Sequence, residues 1–189
     1  MLYFLYIFFF RGTPLLVQIF LIYYGLGQFE AVRESFLWEP VLSQAYWCAI
    51  IAFTLNTSAY LAEIIRGAIQ AIPVGELEAA DAVGMSPWQK LTRITLPRAF
   101  GIVIPAYSNE VIFMLKGSAL ASTIALMDIT GVARTISART YTLMELFFAA
   151  GIVYLLLSWI ILFSFGRFEK RMNRHASYVP PDVMTNTIP

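Results

Sequence analysis

Apolar residues fill Leu15 to Phe29, Ala45 to Ala62, Ala99 to Leu115 and Leu146 to Gly166, and between them lie short polar stretches. A helix needs about 20 apolar residues to cross a hydrocarbon core of about 30 Å. Leu146–Gly166 meets this without a charge, and Ala45–Ala62 is likewise uncharged, with its helix expected to continue through Glu63 and Arg66 towards Ile69. Ala99–Leu115 is slightly short and holds Pro105, Asn109 and Glu110, but spans with its flanks. After Arg11-Gly12-Thr13-Pro14, one helix is expected from about Thr13 to Gly27, with apolar Met1–Phe10 as an entering segment or preceding half-turns. Ser118 to Ile136 starts small and apolar and is then broken by Asp128, Gly131 and Arg134. It fits a half-inserted helical hairpin, tolerated only where protein or water covers the backbone. The pattern predicts an all-α, polytopic transmembrane helix bundle.

The segment between Ile72 and Pro97 is too polar for lipid. Glu76 to Val83 is a helix-forming run, and Gly84 suits the left-handed residue that ends a helix. Ser86 offers an N-cap, Pro87 fits the first helical position, and Gln89 completes a capping box. A second short helix is expected from Pro87 to about Ile94, stopped by Pro97. An ordinary solvated loop is the plainer reading, but two capped helices suggest a compact surface device that contacts another protein.

Charge adds direction. Charged residues make up only 13% of the chain and hydrophobic ones 59%, far from the soluble average of about a quarter charged. The net charge of +1 gives no reason to expect nucleic acid. Basic residues favour the cytoplasmic side of spans. The tail carries Arg167, Lys170, Arg171 and Arg174, and the polar island adds Lys90, Arg93 and Arg98. Gln28 to Gln44 holds only Arg33 against Glu30, Glu34 and Glu39. The island and the C-terminus are therefore expected in the cytoplasm and the Gln28–Gln44 loop outside, which four spans satisfy in alternation. Arg11 then lies at the cytoplasmic interface, and the aromatics Tyr3, Phe4, Tyr6, Phe8, Phe9 and Phe10 read as an interfacial belt. Cys48 is the only cysteine and His175 the only histidine, so neither a metal site nor a Ser-His triad is expected. No phosphate-binding loop occurs; Lys116-Gly117-Ser118 lacks the preceding glycines, and Gly25-x-Gly27 reads as helix packing or a helix end.

The spacing Glu78-Ala79-Ala80, three residues, Gly84, nine residues, then Ile94-x-Leu96-Pro97 resembles the EAA loop of permease subunits in binding-protein-dependent ABC importers. Arg11-Gly12-Thr13-Pro14-Leu15-Leu16-Val17-Gln18 and Leu55-Asn56-Thr57-Ser58-Ala59-Tyr60-Leu61-Ala62-Glu63 resemble the polar amino-acid permeases, among them the basic amino-acid and opine members. The resemblance runs from Phe9 to about Arg174. It implies the type I importer fold, a bacterial inner-membrane location, and a cytoplasmic loop (about 72–97) seated in a cleft of an ATP-binding subunit. Glu78 would anchor that loop, Ala79 and Ala80 would allow close approach, Gly84 would make the turn, and Ile94, Leu96 and Pro97 complete the motif. Such permeases begin with one more helix and an external N-terminus, whereas this sequence starts where their second helix begins, which reads as a truncated or misassigned start.

Glu110 is the second informative residue. A carboxylate in a bilayer costs roughly 2.5–3.5 kcal/mol on insertion scales, so it calls for a polar cavity or a cation. It pairs with Lys116 or a neighbouring arginine, or is protonated, or binds the cationic group of a substrate, with Asn109 meeting polar atoms at the substrate's backbone end. The basic amino-acid permeases similarly carry Asn-Glu within this helix. Asn56, Tyr60 and Glu63 fall at i, i+4 and i+7 on one helix face. That face either lines the pathway or is an interior hydrogen-bond stripe with Glu63 held by Arg66. The expected substrate-binding set is Glu110, Asn109, Asn56 and Tyr60, with no catalytic residue, metal or cofactor.

The expected whole is a permease domain over 1–175 with a flexible cytoplasmic tail over 176–189, translocating polar, basic amino acids or opines. Its expected partners are an ATP-binding subunit dimer, a second permease subunit (identical or paralogous), a periplasmic solute-binding protein and the lipid bilayer. Rival readings are a permease for neutral or acidic amino acids, and an ion-coupled transporter using Glu110 as a proton or sodium site. An intramembrane enzyme has little support, since Ser108 has neither a histidine nor a G-x-S-x-G setting.

Overall fold

The computed structural model describes residues 2–172, and every described element is helical or a turn. The expectation of a flexible tail over 176–189 lies outside the described residues. Three helices are long and apolar enough to cross a membrane: Ala45–Gln70, Pro87–Ile124 and Leu143–Arg171. A fourth crossing exists only if the bent pair Tyr3–Gly12 and Leu15–Gln28 counts as one, and the two halves meet at 106°.

That corner differs from the expected entry. Met1–Phe10 was expected as an entering segment or half-turns, yet Leu2–Gly12 forms a full helix, α1. Pro14 then adopts an extended conformation and opens α2, Leu15–Phe20. The path continues helically through a π turn, Leu21–Gly25, and a 3-10 turn, Leu26–Gln28. At 1.5 Å per residue, Leu15 to Gln28 reaches only about 20 Å, short of a full hydrocarbon core. Beyond it come a single turn, α3 (Glu30–Arg33), and a π turn at Trp38–Leu42. Trp38 covers Gly27, where an added Cβ would come within 2.9 Å of the indole. Gly27 thus lets the Trp38 ring pack closely on the last turn of this path.

Helix α4, Ala45–Gln70, runs beyond the uncharged stretch through Glu63 and Arg66. Its small residues Ala49, Ala52 and Ala59 are buried, where they allow close helix approach. Leu15 and Ile19 of α2 pack there with Ala121 and Ile124, forming the main described core. A second cluster joins Ala68 and Ile72 to Ala99 at the other end of the bundle.

The polar island supplies α5, Val74–Ala82, and α6, Pro87–Lys90. Pro97 does not stop the helix that follows. Leu91–Thr95 forms a π turn, and α7 runs from Leu96 to Gly117 with Pro97 in its first turn. A proline there costs no α-type donor, and the wider turn lets the Leu96 amide donate to the Leu91 carbonyl. The helix therefore continues from Pro87 into the bundle without a loop.

Ser118–Ile124 extends α7 as a 3-10 stretch, Ala125 takes a left-handed conformation, and Asp128 caps α8, Ile129–Thr140. Asp128 accepts from the Gly131 and Thr130 amides and from the Tyr154 hydroxyl (3.1 Å). Arg134 donates to the Ser122 carbonyl, fastening α8 back onto the 3-10 stretch. The break expected within 118–136 is thus a capped corner. Last comes α9, Leu143–Met172, which packs on α7 and α8 and leaves Leu155, Trp159 and Phe148 exposed along its outer face.

Candidate functional site

Two regions hold the residues singled out by sequence. In the polar island, Gly84 has φ of +74°, the left-handed turn between α5 and α6. The Gly84 amide donates to the Asp81 carbonyl and the Met85 amide to the Ala80 carbonyl, closing α5. Ser86 and Gln89 form the reciprocal capping box: the Ser86 amide donates to Gln89 Oε1 at 2.9 Å, and the Gln89 amide to Ser86 Oγ at 3.3 Å. Lys90 pairs with Asp81 across the turn, and Arg98 at the start of α7 grips Glu76 of α5 through both carboxylate oxygens. These pairs fix the angle of the two short helices although neither could persist alone.

Glu78 and Ala79 are exposed on α5, whereas Ala80 is only 3% exposed. Ala80 therefore packs within the island and offers no surface. Ile94 is half-buried, and Leu96 and Pro97 are exposed. Sequence reasoning did not pick out Val83 and Trp88, which flank the turn and stand 77% and 71% exposed. Large apolar residues outside an apolar stretch were the available signal.

The second region lies along α4, which packs on α1 and on α7. Glu110 is 7% exposed, and its Oε1 is buried without a hydrogen-bond partner among the described residues. Among the described residues neither Lys116 nor an arginine lies within ion-pair distance of it. The structural pair weighed from sequence is thus not formed among the described residues. Asn109, one residue earlier, is exposed and points elsewhere, as a helical step of about 100° requires.

Asn56 has a different setting. It is 2% exposed, and its Nδ2 donates to the Phe10 carbonyl and to Gln18 Oε1, both at 3.0 Å. Gln18, also 2% exposed, donates through Nε2 to the Phe10 carbonyl (2.9 Å), the Thr13 carbonyl (3.0 Å) and Thr13 Oγ1 (2.8 Å). The two amides together satisfy carbonyls that the α1–α2 corner leaves without helical donors. Gln18 sits in the quoted Arg11–Gln18 run and was not singled out; a lone glutamine in an apolar stretch was its signal. Asn56→Ala strands Gln18 Oε1 in the interior, which costs about 1–3 kcal/mol. A lowered thermal midpoint of the solubilised protein is the expected result, with the Gln18→Leu/Asn56→Leu double variant lower still because the Phe10 and Thr13 carbonyls then lose their side-chain donors.

Tyr60 and Glu63 complete the face. Glu63 accepts two hydrogen bonds from Arg66, from Nε at 2.9 Å and from a terminal nitrogen at 2.7 Å, and one from the Tyr3 hydroxyl at 3.3 Å. Arg11 lies over the Tyr60 ring, 5.2 Å from its centroid, and 3.3 Å from Glu63 Oε2. Tyr6 donates to the Leu55 carbonyl at 2.7 Å. Part of the expected aromatic belt therefore stitches α1 to α4, while Phe4 and Phe8 stay 80% and 75% exposed. Tyr3, Phe4, Arg11, Tyr60, Glu63 and Arg66 are among the residues lining an open cleft of about 530 Å³. Tyr60 also meets Phe113 of α7, with ring centroids 6.3 Å apart. Phe113 lies one turn beyond Glu110, on the same side.

Among the described residues no group of acidic, histidine or cysteine side chains is placed to hold a metal ion.

The family model described as a binding-protein-dependent transport system inner membrane component matches residues 1–174. An octopine transport system permease protein of Rhizobium radiobacter is 48% identical over 182 residues, covering 94% of this chain and 74% of that protein. A histidine/lysine/arginine/ornithine transport system permease protein of Salmonella typhimurium is 42% identical over 173 residues, covering 92% and 74%. A crystal structure of an amino acid ABC transporter with histidines superposes with a TM-score of 0.77 at 37% identity, covering 88% of this chain and 73% of that one.

Proposed function

The chain belongs to the binding-protein-dependent transport system inner membrane components, and from that premise we propose that it is a membrane-spanning subunit of an ABC importer for basic amino acids or opines. The relatives' named cargoes include octopine, histidine, lysine, arginine and ornithine. These molecules share a basic nitrogen and a carboxylate. The observation that carries the cargo class is Glu110, a buried carboxylate with an unpartnered oxygen inside a membrane-spanning helix. An uncompensated carboxylate there is costly, and a guanidinium or ammonium passing it supplies the missing donors. Asn109, exposed on the neighbouring face, is placed to meet a second permease subunit or the cargo it carries across the shared path. Asn56 holds the α1–α2 corner and shapes the site from behind, while Tyr60 lines the cleft.

Residues 1–175 act as one permease domain. The island over 72–97 is the cytoplasmic coupling loop, with the C-terminus on the same side and the Gln28–Gln44 segment facing an external binding protein. ATP is hydrolysed by a partner dimer that receives Glu78, Ala79, Gly84, Val83 and Trp88. Ala80, Ile94, Leu96 and Pro97 set the island's shape against the start of α7. Two permease subunits enclose the path.

The test is uptake into vesicles holding the permease with its ATPase and binding protein. Uptake of a cationic amino acid that requires ATP inside the ATPase compartment and is insensitive to uncouplers is expected. Uncoupler-sensitive uptake without ATP would place Glu110 in an ion-coupled transporter instead.

A further inference from the structure

A groove of about 600 Å³ runs between α4, α7 and α9 and shares no lining residue with the cleft at Arg11. Ile69, Leu96 and Phe168 stand at one end, and Leu61, Tyr107 and Phe165 at the other. Helix packing fixes that order. Ala68 and Ile72 of α4 pack on Ala99, whereas Tyr60 meets Phe113, so α4 and α7 run in opposite directions. Asp128 and Tyr154 meet beyond α7, and Tyr107 and Phe165 meet further back, so α9 returns alongside α7. Among the described residues that line the groove, every side chain is aliphatic or aromatic, and the Tyr107 hydroxyl alone is polar. A charged solute finds no partner there.

The groove is one leaflet deep. Leu61 to Ile69 is about 12 Å of helix and Leu96 to Tyr107 about 16 Å, at 1.5 Å per residue. Half of a hydrocarbon core of about 30 Å is the same length. A membrane-crossing segment of a partner would need a groove about twice as long, whereas an acyl chain ends where this one ends.

Charge marks the mouth. Arg171 lies one turn beyond Phe168 on the same side of α9, and Lys170 is beside it. Both are exposed, and neither makes an ion pair among the described residues. Arg167 is turned to the Phe163 ring, 4.6 Å from its centroid, and Arg98 is held by Glu76. Three basic residues stand against the single Glu169 in 167–171. In the orientation proposed above, this end meets the cytoplasmic leaflet, whose anionic lipids attract basic clusters beside membrane helices. Basic residues follow the cytoplasmic ends of many spans; the distinguishing feature here is the apolar groove that opens beneath them.

We infer that this groove holds an acyl chain of an anionic phospholipid whose phosphate is taken by Arg171 and Lys170. The site goes beyond the transport reading and takes from it only the orientation of this end. Burial of the chain contributes in proportion to its length. The two cations supply the preference for a negative headgroup through charge-assisted hydrogen bonds.

The experiment uses the assembled permease–ATPase complex in phosphatidylcholine nanodiscs. These are doped with phosphatidylglycerol or phosphatidylcholine carrying a photoreactive diazirine in the acyl chain, and the labelled peptides are mapped by mass spectrometry. Phosphatidylglycerol should label residues 96–107 and 165–168 in preference to phosphatidylcholine, by about fivefold for each of the two basic residues. Lys170→Gln/Arg171→Gln should bring the two lipids to equality while groove labelling continues. Val103→Trp, which fills the groove, should remove groove labelling by both lipids and spare the outer face of α9 at Trp159. Equal labelling by both lipids in the native complex would mean ordinary solvating lipid and overturn the inference. A groove free of label beside a labelled Trp159 would mean that a protein segment covers it, and would overturn the inference too. The labelling needs neither cargo nor ATP, so its outcome is independent of the transport reading.

Discussion

Replacing Gly84 with valine is expected to abolish ATP-driven uptake while membrane insertion and protein level stay close to native. The backbone at Gly84 has φ of +74°, and nothing lies within 4 Å of an added Cβ. The penalty is therefore one of backbone conformation rather than collision. A β-branched residue is a true outlier there, and holding a side chain in such a region costs about 1–3 kcal/mol. The island cannot absorb that cost locally, because α6 is four residues long and depends on the turn to place Ser86 as its cap. The turn would open, and Val83 and Trp88 would lose their fixed separation at the proposed docking surface. The membrane helices, whose packing lies elsewhere, would still insert. Gly84→Asn is the matched control, since asparagine tolerates the left-handed region, and it should retain much of the uptake. Normal transport by Gly84→Val, measured with native ATPase and binding protein, would remove the coupling role from this loop.

Glu110→Gln is the second large effect expected. The substitution keeps the volume and removes the charge, so a cationic cargo exchanges a charge-assisted hydrogen bond for a neutral one. Such bonds contribute about 1.5–3 kcal/mol, which predicts a fall of roughly tenfold to a hundredfold in uptake of arginine or lysine. Uptake of a neutral amino acid by the same complex should fall much less. The comparison decides the role: equal loss for both cargoes would mean that the carboxylate is needed for helix packing. A Glu110→Asp variant separates charge from reach, and should recover part of the arginine uptake if charge is what matters.

Local chemistry was legible in the sequence, and long-range geometry was not. Gly84, Ser86, Pro87 and Gln89 announce their turn and cap because each acts on its own backbone within three or four residues. The span cores could be found for a similar reason: length and lack of charge are properties of a window. Pro97 misled because a proline ends a helix only if the preceding turn stays α-helical, and the Leu91–Thr95 π turn accommodates it. The 106° corner after Gly12 could not be foreseen from the apolar run before it. It depends on Gln18 and Asn56, far apart in sequence, supplying donors to Phe10 and Thr13. Glu110 could be singled out because a charge in an apolar run is visible in one dimension. Which way Asn109 and Ala80 faced needed the helices to be placed.

The unbroken helical path from Pro87 to Ile124 would make the proposed coupling island and Glu110 two points on one lever. They are separated by about 20 residues of helix, or about 30 Å at 1.5 Å per residue. A tilt of about 10° applied at the island would sweep the carboxylate sideways by about 5 Å over that length, more than the reach of a hydrogen bond. No joint needs to carry the motion across a flexible connection. What gives along the lever can be named as well: the widened turn at Leu91–Thr95 and the proline at position 105 are its two soft points. Stiffening the first would alter how far a stroke at the membrane surface travels, and stiffening the second would alter where it arrives.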